Sequence, residues 1–217
     1  MIAVIDYGLG NLFSLKSSLD YIGLENILTS DKDIIRNSDA IILPGVGAFR
    51  DAINRLKEDD LFNLLIEEAN SGKPFLGICL GMQLLFSKSY EYGEFDCLGL
   101  IKGDIRSIKE DLDVKNTNLK IPHMGWNNLN FNRINKDDPI LDNIDEGEYV
   151  YFVHSFYANV VENNVITYSN YGVEIPGIVR EQNVYGMQFH PEKSSDTGLK
   201  LLTNWGKIIE NTDERKI

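Results

Sequence analysis

The stretch Pro74-Phe75-Leu76-Gly77-Ile78-Cys79-Leu80-Gly81-Met82-Gln83 constrains this chain more than any other. It opens as an apolar run after Gly72-Lys73 and reads as a buried strand. The chain then turns at Cys79, and Met82, Leu84, Leu85 and Phe86 continue with helical spacing. Gly77 and Gly81 flank the cysteine in a G-x-C-x-G frame, the thiol counterpart of the G-x-S-x-G nucleophile elbow. A cysteine at a helix N-terminus faces unpaired N–H groups and the positive end of the helix dipole, which favour thiolate. The next N–H, that of Leu80, is placed to donate to an oxyanion on a substrate. A buried, inert cysteine is the competing reading of the same residue.

The surrounding pattern says what kind of sheet this strand joins. Ile2 to Ile5 reads as a strand, followed by the turn-rich Asp6 to Asn11 and a helix carrying Leu12, Leu15, Leu19 and Ile22, stopped by Gly23. Asn26 to Thr29 and Ala40 to Leu43 are further strands, and Leu61 to Ala69 is helical. Strands alternating with helices predict βαβ units and a parallel sheet. In such sheets ligands bind at the carboxyl edge, where Asp6–Asn11, Pro44–Gly47 and Cys79 would all lie. The second half reads as strand-like runs at Gly103–Ile108, Trp126–Phe131, Tyr149–Phe156, Val165–Ser169, Gly177–Val179 and Val184–Phe189, an antiparallel or mixed extension of that sheet. Lys109 to Lys120, polar and asparagine-rich, reads as an exposed loop, and a last helix runs from about Asp196 or Thr197 to Ile209. The expected fold class is therefore α/β, a single three-layer domain over residues 1–217 with a central, mainly parallel sheet and an antiparallel extension.

Composition narrows the function. Thirty-three acidic against 21 basic residues give a formal charge of -12, which argues against a nucleic-acid surface or a polybasic membrane anchor. Two cysteines, Cys79 and Cys97, make no disulfide framework, and Cys97 reads as structural. The chain enters a strand directly at Ile2 with no basic leader, and no apolar run approaches the roughly 18 residues of a membrane span. A soluble cytoplasmic protein is expected.

A cysteine nucleophile needs a base, and the base an orienting group. Of three histidines, His190 ends a strand-like run and is followed by Pro191-Glu192, so the proline stiffens the turn and the carboxylate can orient the ring. Cys79, His190 and Glu192 are the candidate triad. His154 lies in an apolar strand and reads as a core or pocket-wall residue; His123 sits in a turn beside Trp126. Their spacing gives no metal site, and no cofactor is expected. Pro44-Gly45-Val46-Gly47 admits a plain tight turn or a phosphate loop, though it lacks the lysine of G-x-x-x-x-G-K-[ST]. With the elbow in the neighbouring strand, the favoured reading is that Val46–Gly47 supplies a second oxyanion N–H beside that of Leu80.

Gly77-Ile-Cys-Leu-Gly-Met-Gln83 and Gln188-Phe-His-Pro-Glu-Lys193 together resemble the signatures of the class I (cysteine-triad) glutamine amidotransferases, whose fold is flavodoxin-like. Ile5-Asp-Tyr-Gly-Leu-Gly-Asn11, Leu43-Pro-Gly-Val-Gly-Ala-Phe49, Lys120-Ile-Pro-His-Met-Gly-Trp-Asn127 and Tyr151-Phe-Val-His-Ser-Phe156 narrow the likeness to the branch serving histidine biosynthesis. The resemblance spans essentially the whole chain. It implies that glutamine is the substrate, gripped by Gly47, Gln83 and Ser155–Phe156, and that ammonia passes to a (β/α)8-barrel cyclase in a heterodimer. It also implies that the Val46–Gly47 segment stays turned away until the partner's ligand binds. Asn11, Trp126, Tyr151 and Lys193 would be interface or signalling positions; for Trp126 and Tyr151 a core role is the alternative. Two other functions stay open: a paralogue feeding ammonia to surface-sugar synthesis, and a free-standing γ-glutamyl cysteine hydrolase.

Overall fold

The structure is a computed structural model, and it describes residues 1–214. The first half follows the βα alternation. Strand β1 (Ile2–Ile5), helix α1 (Leu12–Tyr21), β2 (Asn26–Thr29), α2 (Lys32–Asn37), β3 (Ala40–Gly45), α3 (Phe49–Glu58), α4 (Leu61–Asn70), β4 (Phe75–Cys79) and α5 (Leu80–Leu84) succeed one another. Short strands β5 (Lys88–Ser89) and β6 (Phe95–Asp96) lead to β7 (Gly103–Ser107), α6 (Ile108–Val114), β8 (His123–Asn128) and β9 (Asn130–Phe131). Then come β10 (Tyr149–His154), β11 (Phe156–Val160), β12 (Val165–Asn170), β13 (Glu174–Glu181), β14 (Val184–Met187) and the long α7 (Ser195–Glu214).

The main sheet has eight strands in the order β2-β1-β3-β4-β14-β13-β12-β9. Its first five strands pair in parallel, and the last three add antiparallel. The parallel part therefore has the flavodoxin-like order, with binding expected at the carboxyl edge. Its strands are apolar throughout because both faces are covered. In β1, Ile2 and Val4 join one core with Leu15 and Leu19 of α1 and Leu202 and Trp205 of α7. Ala3 and Ile5 point the other way, into a core with Ile35 of α2, Phe49 and Ile53 of α3, and Leu64 and Leu65 of α4. This alternation is the period-two geometry of a strand, and it makes three layers.

Three sequence expectations are corrected. The second half is not one extension of the sheet. Only β9, β12, β13 and β14 join it, while β8 and β10 form a separate two-stranded ribbon and β11-β7-β5-β6 a third sheet. Trp126–Phe131 and Tyr149–Phe156 are each broken in two, at Leu129 and at Ser155, so the chain can pass from ribbon to neighbouring sheet. Lys109–Lys120 is not all loop. Its first turns form α6, where the Ser107 side chain accepts from the Glu110 N–H at 3.4 Å and Ile108 and Leu112 are buried one turn apart. That single apolar pair is masked by the polar residues around it. Among the described residues no helix is long and apolar enough to cross a membrane.

Candidate active site

Strand β4 delivers Cys79 to the carboxyl edge of the sheet, where the chain reverses into α5. Cys79 has φ 55° and ψ -111°, a positive-φ conformation rare for a residue with a side chain. The glycines around it are there because backbone passes too close for anything else. A Cβ on Gly81 would lie 1.8 Å from the Leu43 carbonyl oxygen, and one on Gly77 2.6 Å from that of Gly81. The elbow is thus wedged against β3, whose Gly45 pairs in register with Cys79. The segment Val46–Gly47 leaves β3 beside the thiol, with Gly47 at φ 99°. Tyr7, at the end of β1, is buried beneath and donates to the Pro44 carbonyl at 2.9 Å. Burial, then the neighbouring Cys79, push its phenol pKa far up, so it stays a donor.

His190 follows β14, which pairs in parallel with β4, and so arrives at the same edge. Its Nδ1 lies 2.8 Å from Glu192 Oε1, and both side chains are only 3% exposed. Burial lowers the His190 pKa, but the neighbouring Cys79 and Glu192 side chains outweigh it and push it up to about 10. His190 Nε2 and Glu192 Oε2 have no hydrogen-bond partner among the described residues, and the Cys79 thiol faces the Val153 carbonyl at 3.9 Å. A small cavity of about 10 Å³ adjoins His190 and Glu192 and is lined by Asn11, Pro44 and Val46.

Strand β10 holds the base from the other side. The His190 N–H donates to the Tyr151 carbonyl at 3.0 Å. Ser194 Oγ, fully buried, accepts from the Tyr151 N–H at 3.0 Å and donates to the His190 carbonyl at 2.6 Å. The structure thus brings Cys79, His190, Glu192, Leu80, Val46 and Gly47 to one edge, with Ser155 and Phe156 just beyond β10. Gln83, one turn after the cysteine, has its amide nitrogen committed to the Phe156 carbonyl (2.9 Å) and Gln188 Oε1 (3.1 Å).

Trp126 and Tyr151 are not core residues. They pair opposite one another in the β8–β10 ribbon with ring centroids 6.2 Å apart, and Trp126 is 53% exposed. Met124 and Tyr149 add exposed apolar surface on the same ribbon, and Lys193 is exposed nearby in sequence to Glu192. Cys97 is buried, and burial together with Asp96 pushes its thiol up to about 12, which makes it inert.

Sequence reasoning missed Glu91. It is buried, its pKa is raised by burial, and it accepts from the backbone N–H of Phe49, two residues past Gly47. The adjacent Tyr92 packs edge-on against Phe156 at 5.7 Å. The only signal was a carboxylate between two tyrosines, which reads as a loop. A cleft of about 1160 Å³, lined by Arg133, Lys136, Tyr157 and Tyr168, lies elsewhere and contains none of the candidate triad. Among the described residues no cluster of His, Cys, Asp and Glu could hold a metal ion.

An elbow cysteine, a buried His–Glu pair and a flavodoxin-like sheet define a cysteine-triad hydrolase fold. The family model for glutamine amidotransferase class-I matches residues 3–207, and the chain belongs to that family. Among curated relatives, the imidazole glycerol phosphate synthase subunit HisH of Bacillus cereus (strain G9842) is 48% identical over 97% of this chain and 96% of its own length. The HisH subunit of Caldanaerobacter subterraneus subsp. tengcongensis is 47% identical over 97% of this chain and 99% of its own. A crystal structure of a glutamine amidotransferase shares the fold at TM-score 0.70 and 18% identity, covering 95% of this chain and all of that one.

Proposed function

We infer that this chain is the glutamine amidotransferase subunit of imidazole glycerol phosphate synthase, an enzyme of histidine biosynthesis, and that residues 1–217 form one glutaminase domain acting in the cytoplasm. The observation that carries the chemistry is Cys79 at a positive-φ elbow on the same sheet edge as the buried His190–Glu192 pair. In this reading the Cys79 thiolate attacks the side-chain amide carbon of glutamine. His190, oriented by Glu192, gives its Nε2 proton to the leaving nitrogen, and ammonia departs as the glutamyl thioester forms. Water then attacks the thioester, His190 takes its proton, and glutamate leaves with the thiolate restored.

The tetrahedral oxyanion is held by the N–H of Leu80 and a backbone N–H of Val46–Gly47, each donor being worth about 2.7–4 kcal/mol of barrier in measured cases. Glutamine's α-groups need fixed partners. Gly47 and the Ser155–Phe156 segment line its place, Gln83 braces Phe156, and the buried Glu91 carboxylate suits the α-ammonium. Ammonia is destined for a (β/α)8-barrel cyclase docked on the side of Trp126, Tyr151, Lys193 and Asn11. The exposed Trp126–Tyr151 pair supports that side, since aromatic residues are frequent interface anchors.

The test is ammonia release from glutamine by the chain alone, then with purified cyclase and its nucleotide ligand. A large rise on adding both is expected. Full activity alone would instead indicate a free-standing γ-glutamyl hydrolase. Glutaminase that ignores this cyclase would indicate the surface-sugar branch.

A further inference from the structure

The two remaining histidines meet across the β8–β10 ribbon, where His123 and His154 are paired in register. Both are buried. His123 Nδ1 lies 3.0 Å from His154 Nε2, and His154 Nδ1 lies 2.8 Å from the Phe156 carbonyl. At the other end, Asn127 Nδ2 lies 3.4 Å from His123 Nε2.

The direction of every bond in this chain is fixed from both ends. Phe156 O can only accept, so His154 Nδ1 carries a hydrogen. Burial, joined for His154 by the charge of His123, holds both rings neutral at ordinary pH, with pKa values lowered to about 4 and about 3. A neutral His154 therefore accepts at Nε2, and His123 must donate from Nδ1. That leaves His123 Nε2 bare, to accept from Asn127. Independently, the Asn127 amide is oriented by the Asn128 N–H donating to its Oδ1 at 2.9 Å and by its own Nδ2 donating to Asn170 O at 3.1 Å. Its nitrogen therefore faces His123, the same answer reached from the opposite end. The His123 ring is clamped between Phe152 and Tyr171, at centroid distances of 4.8 and 4.1 Å.

We propose that Asn127, His123 and His154 form a one-way hydrogen-bond relay that positions the Phe156 carbonyl, and with it the segment that receives glutamine. The relay ends on an atom that also accepts from Gln83 of the elbow helix, so Phe156 O is where ribbon and elbow are tied together. It begins at half-buried Asn127, adjacent in sequence to Trp126, whose side chain is exposed on the opposite face of the ribbon. These are positioning residues, since none is placed to touch the reacting atoms. The proposal rests on the glutaminase reading and deepens it.

The test has two arms on the full chain. Long-range nitrogen–proton NMR of the histidine rings at neutral pH should show both His123 and His154 protonated at Nδ1 and bare at Nε2. Asn127→Asp replaces the donor with an acceptor, and His123 should then gain a proton at Nε2 and become an imidazolium. In the glutaminase assay with cyclase and its ligand, His123→Leu should raise the KM for glutamine at least tenfold and leave the rate of Cys79 alkylation by iodoacetamide unchanged. His123→Asn, whose amide can stand in for the Nδ1 donor, should restore most of the loss. If His123→Leu fails to fold, Asn127→Asp carries the kinetic comparison. Nε2-protonated tautomers, or an unchanged KM in active enzyme, overturn the relay. A wild-type chain that hydrolyses no glutamine with any partner overturns the glutaminase reading itself, whatever the tautomers show, and the positioning role with it.

Discussion

The buried histidine pair makes the fold sensitive to mild acid, and the size of the effect follows from the structure. An unfolded histidine titrates near 6.5, whereas His123 and His154 are depressed to about 4 and about 3 by burial. Below pH 6.5 the unfolded chain binds protons that the folded chain refuses, so stability falls as pH falls. Between pH 6.5 and pH 5 each ring contributes 1.5 units at about 1.36 kcal/mol per unit, roughly 2 kcal/mol, and the pair roughly 4 kcal/mol. His190 acts only on the pH 7.5 point, and a comparison variant that keeps His190 cancels it. Its pKa is raised to about 10, so below 6.5 it is protonated in both states, and its contribution is lost progressively as pH rises from about 6.5 to 10. Surface carboxylates do titrate in this window, and the double variant His123→Asn/His154→Gln cancels them. Urea unfolding at pH 7.5, 6.0 and 5.0 should show the wild type losing about 4 kcal/mol more than the double variant. Equal losses would mean that the rings titrate normally in the fold, and the argument from burial would be wrong.

The other predictions concern the elbow, the base and one buried ion pair. Cys79→Ala should abolish ammonia release from glutamine while ammonia-driven synthesis by the assembled enzyme survives, and Glu192→Gln should slow glutamine turnover by roughly 10²–10⁴-fold with the unfolding midpoint preserved. Ser194→Ala removes the hydroxyl that ties His190 to β10, and should lower kcat about tenfold with KM for glutamine unchanged. Gly81→Ala sets a methyl against the Leu43 carbonyl and should cost about 3 kcal/mol or more in urea unfolding, because only backbone can yield. Lys73 is buried with its ammonium on Glu68 (2.7 Å) and on the carbonyls of Ile35 and Arg36 (both 2.8 Å) at the end of α2. Lys73→Met should therefore destabilise by about 3–5 kcal/mol, read in the same unfolding experiment.

The parallel half of the fold was legible because its strands are apolar on both faces and its turns carry glycine, so each element declares itself locally. The candidate triad was legible for the same reason. G-x-C-x-G states the backbone requirement of the elbow, and His190-Pro191-Glu192 puts base and carboxylate within one turn. What was hidden depends on which strand lies next to which. The break at Ser155 moves the chain from one sheet to another, and nothing in Tyr149–Phe156 signals it. His123 and His154 looked like separate structural residues, because their contact is created by the β8–β10 register across 31 positions. Glu91 escaped notice because the groups the fold brings to it and to Tyr92, the Phe49 backbone and the Phe156 ring, are distant in sequence.

Strand β10 explains why these pieces belong to one machine. Along a single strand, Tyr151 holds the backbone of His190, Val153 offers its carbonyl to the Cys79 thiol, and His154 fixes Phe156. The candidate base, nucleophile and glutamine-binding segment are thus referenced to one element, and that element also presents Tyr151 against the exposed Trp126. The thiol faces the Val153 carbonyl at 3.9 Å and also neighbours the His190 ring, so a turn of Sγ trades the carbonyl for the imidazole. A side-chain rotation of that kind is small, and the strand that restrains it is the one a docked partner would press. On the proposed function, these contacts predict slow glutaminase in the isolated chain and faster turnover with a docked partner. Ser194→Ala separates the two effects, because it loosens the base while leaving the Val153 hold on the thiol in place.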